Sequence, residues 1–171
     1  MDNQNNAAHS TTNIYNPLIE AAKPVFILVN AMQQTTSQLS TDSLINKFSL
    51  LINNFEENAE KNGARYDAIQ AAKYCLCTFV DELAVRAGWA DETWSKNSLL
   101  VSFYDETWGG ERFFEIIQNL KQDPDKNIDL LEFMYLCLQF GYKGKYQVLN
   151  SGELEIDKIK RDLLALIHSK R

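Results

Sequence analysis

A chain of 171 residues with 45% hydrophobic residues suits one domain, or two small lobes sharing a core, with enough apolar surface to fold without staples. A formal charge of −6 and a pI near 4.9 argue against a nucleic-acid binder, which neutralises phosphates with clustered Lys and Arg, and favour a basic partner. Cys75, Cys77 and Cys137 cannot all pair, and the first two diverge on one helix, so they read as reduced core thiols in a cytosolic protein.

No apolar run approaches the roughly 18 to 20 residues a membrane-spanning helix needs. Residues 1–15, rich in Asn, Ser, Thr and Gln, read as a disordered leader before a helical domain over 16–171. Asn16 and Pro17 make an N-cap and first-turn proline for a helix carrying Leu18, Ala22, Val25, Val29 and Met32, and Pro24 within it predicts a kink or a second helix start. Ser40 to Asp42 then open an amphipathic helix with a stripe of Leu44, Phe48, Leu51, Ile52 and Phe55, stopped near Asn62 and Gly63.

From Tyr66 to Ala87 the stripe Ile69, Ala72, Leu76, Val80, Leu83 and Ala87 is accompanied on the opposite side by Tyr74, Cys77 and Val85, the pattern of a central helix. Trp94 to Tyr104 reads as one short helix. Trp108, Gly109 and Gly110 form a turn into Phe113, Phe114, Ile117 and Leu120, ended by Asp123 and Pro124. Ile128 to Phe140 is a second buried helix, capped by Gly141. Gly141 to Tyr146 reads as a loop whose tyrosines lie against the core, and a last helix from Ser151 carries Leu154, Ile159, Leu163, Leu166 and Ile167. No segment alternates as a half-buried strand does, so the fold class is all-α.

Catalytic chemistry finds little support. His9 lies in the leader and His168 in the last helical turn, so no Ser/His/Asp or Cys/His set can be assembled. Cys75 and Cys77 lack the spacing and second ligand pair of a zinc site, and acidic neighbours make Gly109 and Gly110 a packed turn rather than a phosphate cradle. No metal, cofactor or catalytic residue is therefore expected. Asp81 and Glu82 are the informative pair. Standing mid-helix on the central segment, they are either hydrogen-bonded inside the fold or line an acidic cleft that receives a partner. Trp89, Trp94 and Trp108, with Phe103 and Tyr104 between them, either brace loops or supply an exposed anchor.

Four segments together resemble one family: Ala72 to Glu82 (AKYCLCTFVDE), Trp94 to Leu100, Phe103 to Phe114 (FYDETWGGERFF) and Leu130 to Tyr146 (LLEFMYLCLQFGYKGKY). They are similar to the TssL/DotU (IcmH) proteins of bacterial type VI and type IVB secretion systems, over nearly all of Asn16 to Arg171. The resemblance implies seven or eight helices in two packed bundles with a cleft between them, followed by a C-terminal transmembrane anchor that would lie beyond Arg171. It also implies a non-enzymatic docking subunit at the cytoplasmic face of the inner membrane, bound to a TssM/IcmF-like inner-membrane protein and a TssK-like baseplate protein, with homodimerisation possible. Asp81 and Glu82 are the first candidates for partner contact. Tyr104, Asp105, Glu106 and Trp108 are the second. The rival reading is a soluble helical adaptor that binds a peptide or partner helix without membrane attachment.

Overall fold

Asn16 sets the start of the first helix, α1 (Pro17–Gln34), with its side-chain oxygen accepting from the N–H groups of Leu18 at 3.0 Å and Ile19 at 3.2 Å. The computed structural model describes residues 15–34 and 39–171, and the expected leader lies, apart from exposed Tyr15, outside the described residues. Pro24 neither restarts nor ends α1. It stands on the exposed face, so the carbonyl left without a donor one turn earlier faces water and the helix continues.

Helix α2 (Thr41–Lys61) is capped by Ser40, which accepts from the Ser43 N–H at 3.2 Å, and Gly63 follows its end at φ +85°. Helix α3 (Tyr66–Arg86) buries both expected sides over most of its length, whereas Val85 and Ala87 at its end are exposed. The expected single helix over 94–104 is two, α4 (Glu92–Lys96) and α5 (Leu99–Tyr104). Asn97 and Ser98 part them, and Ser98 caps α5 by accepting from the Val101 N–H.

Helix α6 (Arg112–Leu120) runs to the turn before α7 (Pro124–Gln139). Asp123 and Pro124 thus open α7, as cap and first-turn proline, four residues before the stripe that signalled it. A 3₁₀ turn occupies Gly144–Val148 where a plain loop was expected, and α8 (Gly152–Lys170) closes the chain. On α8 the buried stripe is Ile156, Leu163 and Ile167 with half-buried Ile159, while Leu154 points outward.

All regular structure among the described residues is helical. Helix α3 packs on α1, α2, α5, α6 and α7, and α7 in turn carries α1, α6 and α8. Phe26 of α1 joins these layers, its ring centroid 5.3 Å from Phe79, 6.0 Å from Phe133 and 5.0 Å from Phe140. Each such buried ring stabilises the fold by about 1.5 to 3 kcal/mol relative to exposure. The three cysteines are buried and unpaired, and burial pushes their thiols well above the ordinary range, as core thiols require.

Candidate functional site

Two adjacent carboxylates on α3 hold down two different loops. Successive helical residues diverge by about 100°, so Asp81 and Glu82 face different neighbours. Asp81 Oδ1 accepts from the Leu99 N–H at 2.9 Å and the Trp94 indole N–H at 3.1 Å, and Oδ2 accepts from the Leu100 N–H at 3.0 Å. It satisfies two orphan donors at the start of α5, beside the Ser98 cap. Glu82 Oε2 accepts from the Lys143 N–H at 2.8 Å and from Arg86, while Oε1 accepts from Gly144 N–H at 2.6 Å and Gln147 Nε2 at 2.7 Å. Arg86 also donates to the Gly141 carbonyl at 2.6 Å, fixing the start of the same loop.

Burial pushes Asp81 up to about 6, against the pull of the Leu100 and Leu99 N–H groups. Burial raises Glu82 as well, opposed by the N–H groups of Lys143 and Gly144. Both acids are thus satisfied inside the fold. They also border an open cavity of about 310 Å³, whose other walls include Thr78, Val85, Leu100 and Trp108. Each carboxylate is thus an internal acceptor, as the first of the two readings expects, and also part of a cavity wall.

The tryptophans divide. Trp89 donates to the Met32 carbonyl at 3.1 Å and stacks on Phe48, and Trp94 is bound by Asp81, so both brace the fold. Trp108 instead stands at the cavity wall with 56% of its surface exposed, beside Val85 at 66%. Its loop lies close because Gly109 and Gly110 have no side chains: a Cβ on Gly109 would stand 2.8 Å from Thr78 Oγ1, and one on Gly110 would stand 2.5 Å from the Trp108 ring. Thr78 Oγ1 is in turn 3.0 Å from the Tyr142 hydroxyl, a buried pair on the cavity floor.

Asp81, Glu82 and Trp108 come together at the cavity; Tyr104, Asp105 and Glu106 do not line it. The Tyr104 hydroxyl is buried without a hydrogen-bond partner among the described residues, with its ring edge-on to Tyr74. Asp105 is exposed and ends α5 in the left-handed region, at φ 53°. Glu106 accepts from the Tyr74 hydroxyl at 2.6 Å and from Arg112 at 3.0 Å. Sequence reasoning did not select Val85 and Arg86, although each stands one turn after Asp81 or Glu82 and shares its face. Tyr142 and Gln147 carried no such signal, since only the folded loop brings them over α3. Among the described residues no three His, Cys, Asp or Glu side chains gather as metal ligands would, and no helix is long and apolar enough to cross a membrane.

A family profile described as "Type VI secretion system protein DotU" matches residues 17–171. Among solved structures, TssL from Vibrio cholerae is 33% identical, with a TM-score of 0.78 over 92% of this chain and 100% of that one. The cytoplasmic domain of TssL from Acinetobacter baumannii is 25% identical, with a TM-score of 0.78 over 90% and 99%. SciP/TssL from enteroaggregative Escherichia coli 042, 20% identical with a TM-score of 0.74 over 88% of each chain, shares the fold. Comparison with curated proteins gives no match.

Proposed function

Because the chain belongs to the DotU family of type VI secretion system proteins, we propose that the cavity beside Trp108 is the surface on which this subunit docks its neighbours. The family is one of structural secretion components and not of enzymes, and its members belong to the inner-membrane complex. On this reading the domain works at the cytoplasmic face of that membrane, holding a TssM/IcmF-like inner-membrane protein and a TssK-like baseplate protein, with a second copy of itself as a further partner. The cleft between two helical bundles is then this cavity, with α5 and the 105–111 loop on one side and the 141–148 segment on the other.

One observation carries the reading. An exposed tryptophan and an exposed valine flank an opening walled by Asp81, Glu82 and Arg86, so an anchor for apolar side chains stands next to charged and polar groups that can orient a partner. Interface energies concentrate in such aromatic anchors, and Trp108→Ala is expected to weaken docking at least tenfold, or about 1.4 kcal/mol. The test is co-expression with the TssM/IcmF-like and TssK-like subunits of the same system, followed by affinity purification and a binding titration of wild type and variant. Equal affinity of the two would remove this face from the docking surface.

A further inference from the structure

Trp108 is not held by its own burial, yet both ends of its loop are fixed. Upstream, Glu106 follows the left-handed Asp105 and spends both carboxylate oxygens inside the chain, one on the Tyr74 hydroxyl and one on Arg112. The Arg112 guanidinium lies over the Tyr74 ring, 4.4 Å from its centroid, so three side chains from α3, the loop and α6 close on one another. Downstream, Gly109 lies against Thr78 and the Tyr74 hydroxyl, and the Gly110 carbonyl accepts from the Lys145 N–H at 3.2 Å. Thr107 and Trp108 are the exposed residues between these ties.

We infer that Tyr74, Glu106 and Arg112 form a clasp that positions Trp108 at the mouth of the cavity, so that Glu106 serves docking by holding the loop and not by touching the partner. The inference rests on the docking reading above. Both Glu106 oxygens already accept within the chain, from the Tyr74 hydroxyl and from Arg112, and Tyr74 is buried. They act through Trp108. A charge-assisted bond such as that from Tyr74 to Glu106 is worth enough to shift a local opening equilibrium by about tenfold.

Tyr74→Phe removes the hydroxyl and little else. In the folded chain, amide hydrogen exchange of residues 105–111 is expected to rise about tenfold, with α2 and α7 protected as before. In the co-expression assay the same variant is expected to lose affinity for the TssK-like or TssM/IcmF-like subunit in the direction of Trp108→Ala. Arg112→Ala, a change at an exposed residue, repeats both measurements should Tyr74→Phe unfold. Unchanged exchange over 105–111 overturns the clasp, and so does a rise spread through the whole core, which would mark a general structural role. Raised local exchange with full binding, where Trp108→Ala binds weakly, overturns the positioning role. If Trp108→Ala itself binds normally, the docking reading falls, and the exchange measurement alone decides whether the clasp holds the loop.

Discussion

From Ala68 to Ala84, α3 is buried or half-buried at every position, and hydrocarbon from α1, α2 and α7 covers it. The segments 97–111 and 141–148 lie over its C-terminal half and are tied down through polar atoms of α3: the Asp81 and Glu82 carboxylates, the Tyr74 and Thr78 hydroxyls and the Arg86 guanidinium. The first region is stabilised in proportion to area and tolerates changes that keep volume and pattern. The second depends on a few directed bonds, so single atoms matter there. A docking surface built on the second kind of region can be altered locally without unfolding the first.

The strongest way to test this contrast is in the hydrocarbon. Phe79 is fully buried against Phe26 and Phe140, and Phe79→Ala is expected to cost about 3 to 5 kcal/mol in a urea melt, with the transition remaining cooperative. A loss near 1 kcal/mol would mean that the core does not hold the fold in the way its burial implies.

Next in size is Asp81→Ala, which strands the N–H groups of Leu99 and Leu100 and the Trp94 indole and is expected to cost about 2 to 3 kcal/mol. Asp81→Asn keeps an acceptor and should cost less. The pH dependence sharpens the assignment. Burial holds Asp81 at about 6 against an ordinary 3.8, so the native state binds the proton more tightly than the unfolded chain. Its contribution to stability is fully present below the ordinary value and is lost as pH rises through about 6. Glu82 is raised in the same direction. Glu56 and Asp67, held down by Lys73 and Arg65, act in the opposite sense, and most of their effect falls below pH 5. Wild-type stability is therefore expected to fall by on the order of 1 kcal/mol between pH 5 and pH 7 through Asp81, and the slope to flatten in Asp81→Asn. An equal slope in both proteins would assign the pH dependence elsewhere.

The same contrast explains what the sequence made legible. Stripes such as Leu44, Phe48, Ile52 and Phe55 repeat at helical spacing because burial along a helix is periodic, so α1, α2, α3 and the core of α7 could be placed by counting. The break at Asn97 and Ser98 offered only the weak local signal of a capping serine, and the Asp81 carboxylate that also holds the start of α5 lies eighteen residues before Leu99. Leu154 is a different case, because counting alone excludes it: at about 100° per residue it lies opposite Leu163, between Glu153 and Glu155, and the buried side chain nearby is Ile156. Asp81 and Glu82 stood out because charge inside a buried helix needs a partner, which identifies the site but not the atoms that answer it. Glu106 stood out as a contact candidate on an aromatic, charged loop, but nothing in the sequence tied it to Tyr74 or Arg112, which are ordinary residues until the loop closes.

Gly109→Ala gives the smallest expected effect and separates the two regions most finely. Its added Cβ would stand 2.8 Å from Thr78 Oγ1, 2.9 Å from Thr78 Cβ and 3.0 Å from the Tyr74 hydroxyl, closer than side-chain carbons pack, so the loop must lift or Thr78 must turn. Turning Thr78 gives up its bond to Tyr142; lifting the loop loosens the bond between Tyr74 and Glu106. The Tyr142 ring packs on Phe113 and Phe114, away from the ring cluster of Phe26, Phe79 and Phe133, so that cluster is expected to stay intact. The expected loss is about 1 to 2 kcal/mol in the urea midpoint, the size of a local overpacking. Amide exchange should rise over residues 105–111 and the 141–148 segment while α2 and α7 remain protected. A loss as large as that of Phe79→Ala, with exchange raised across α3 and α7, would show that loop and core form one cooperative unit, and the division between area-held and bond-held regions would fail.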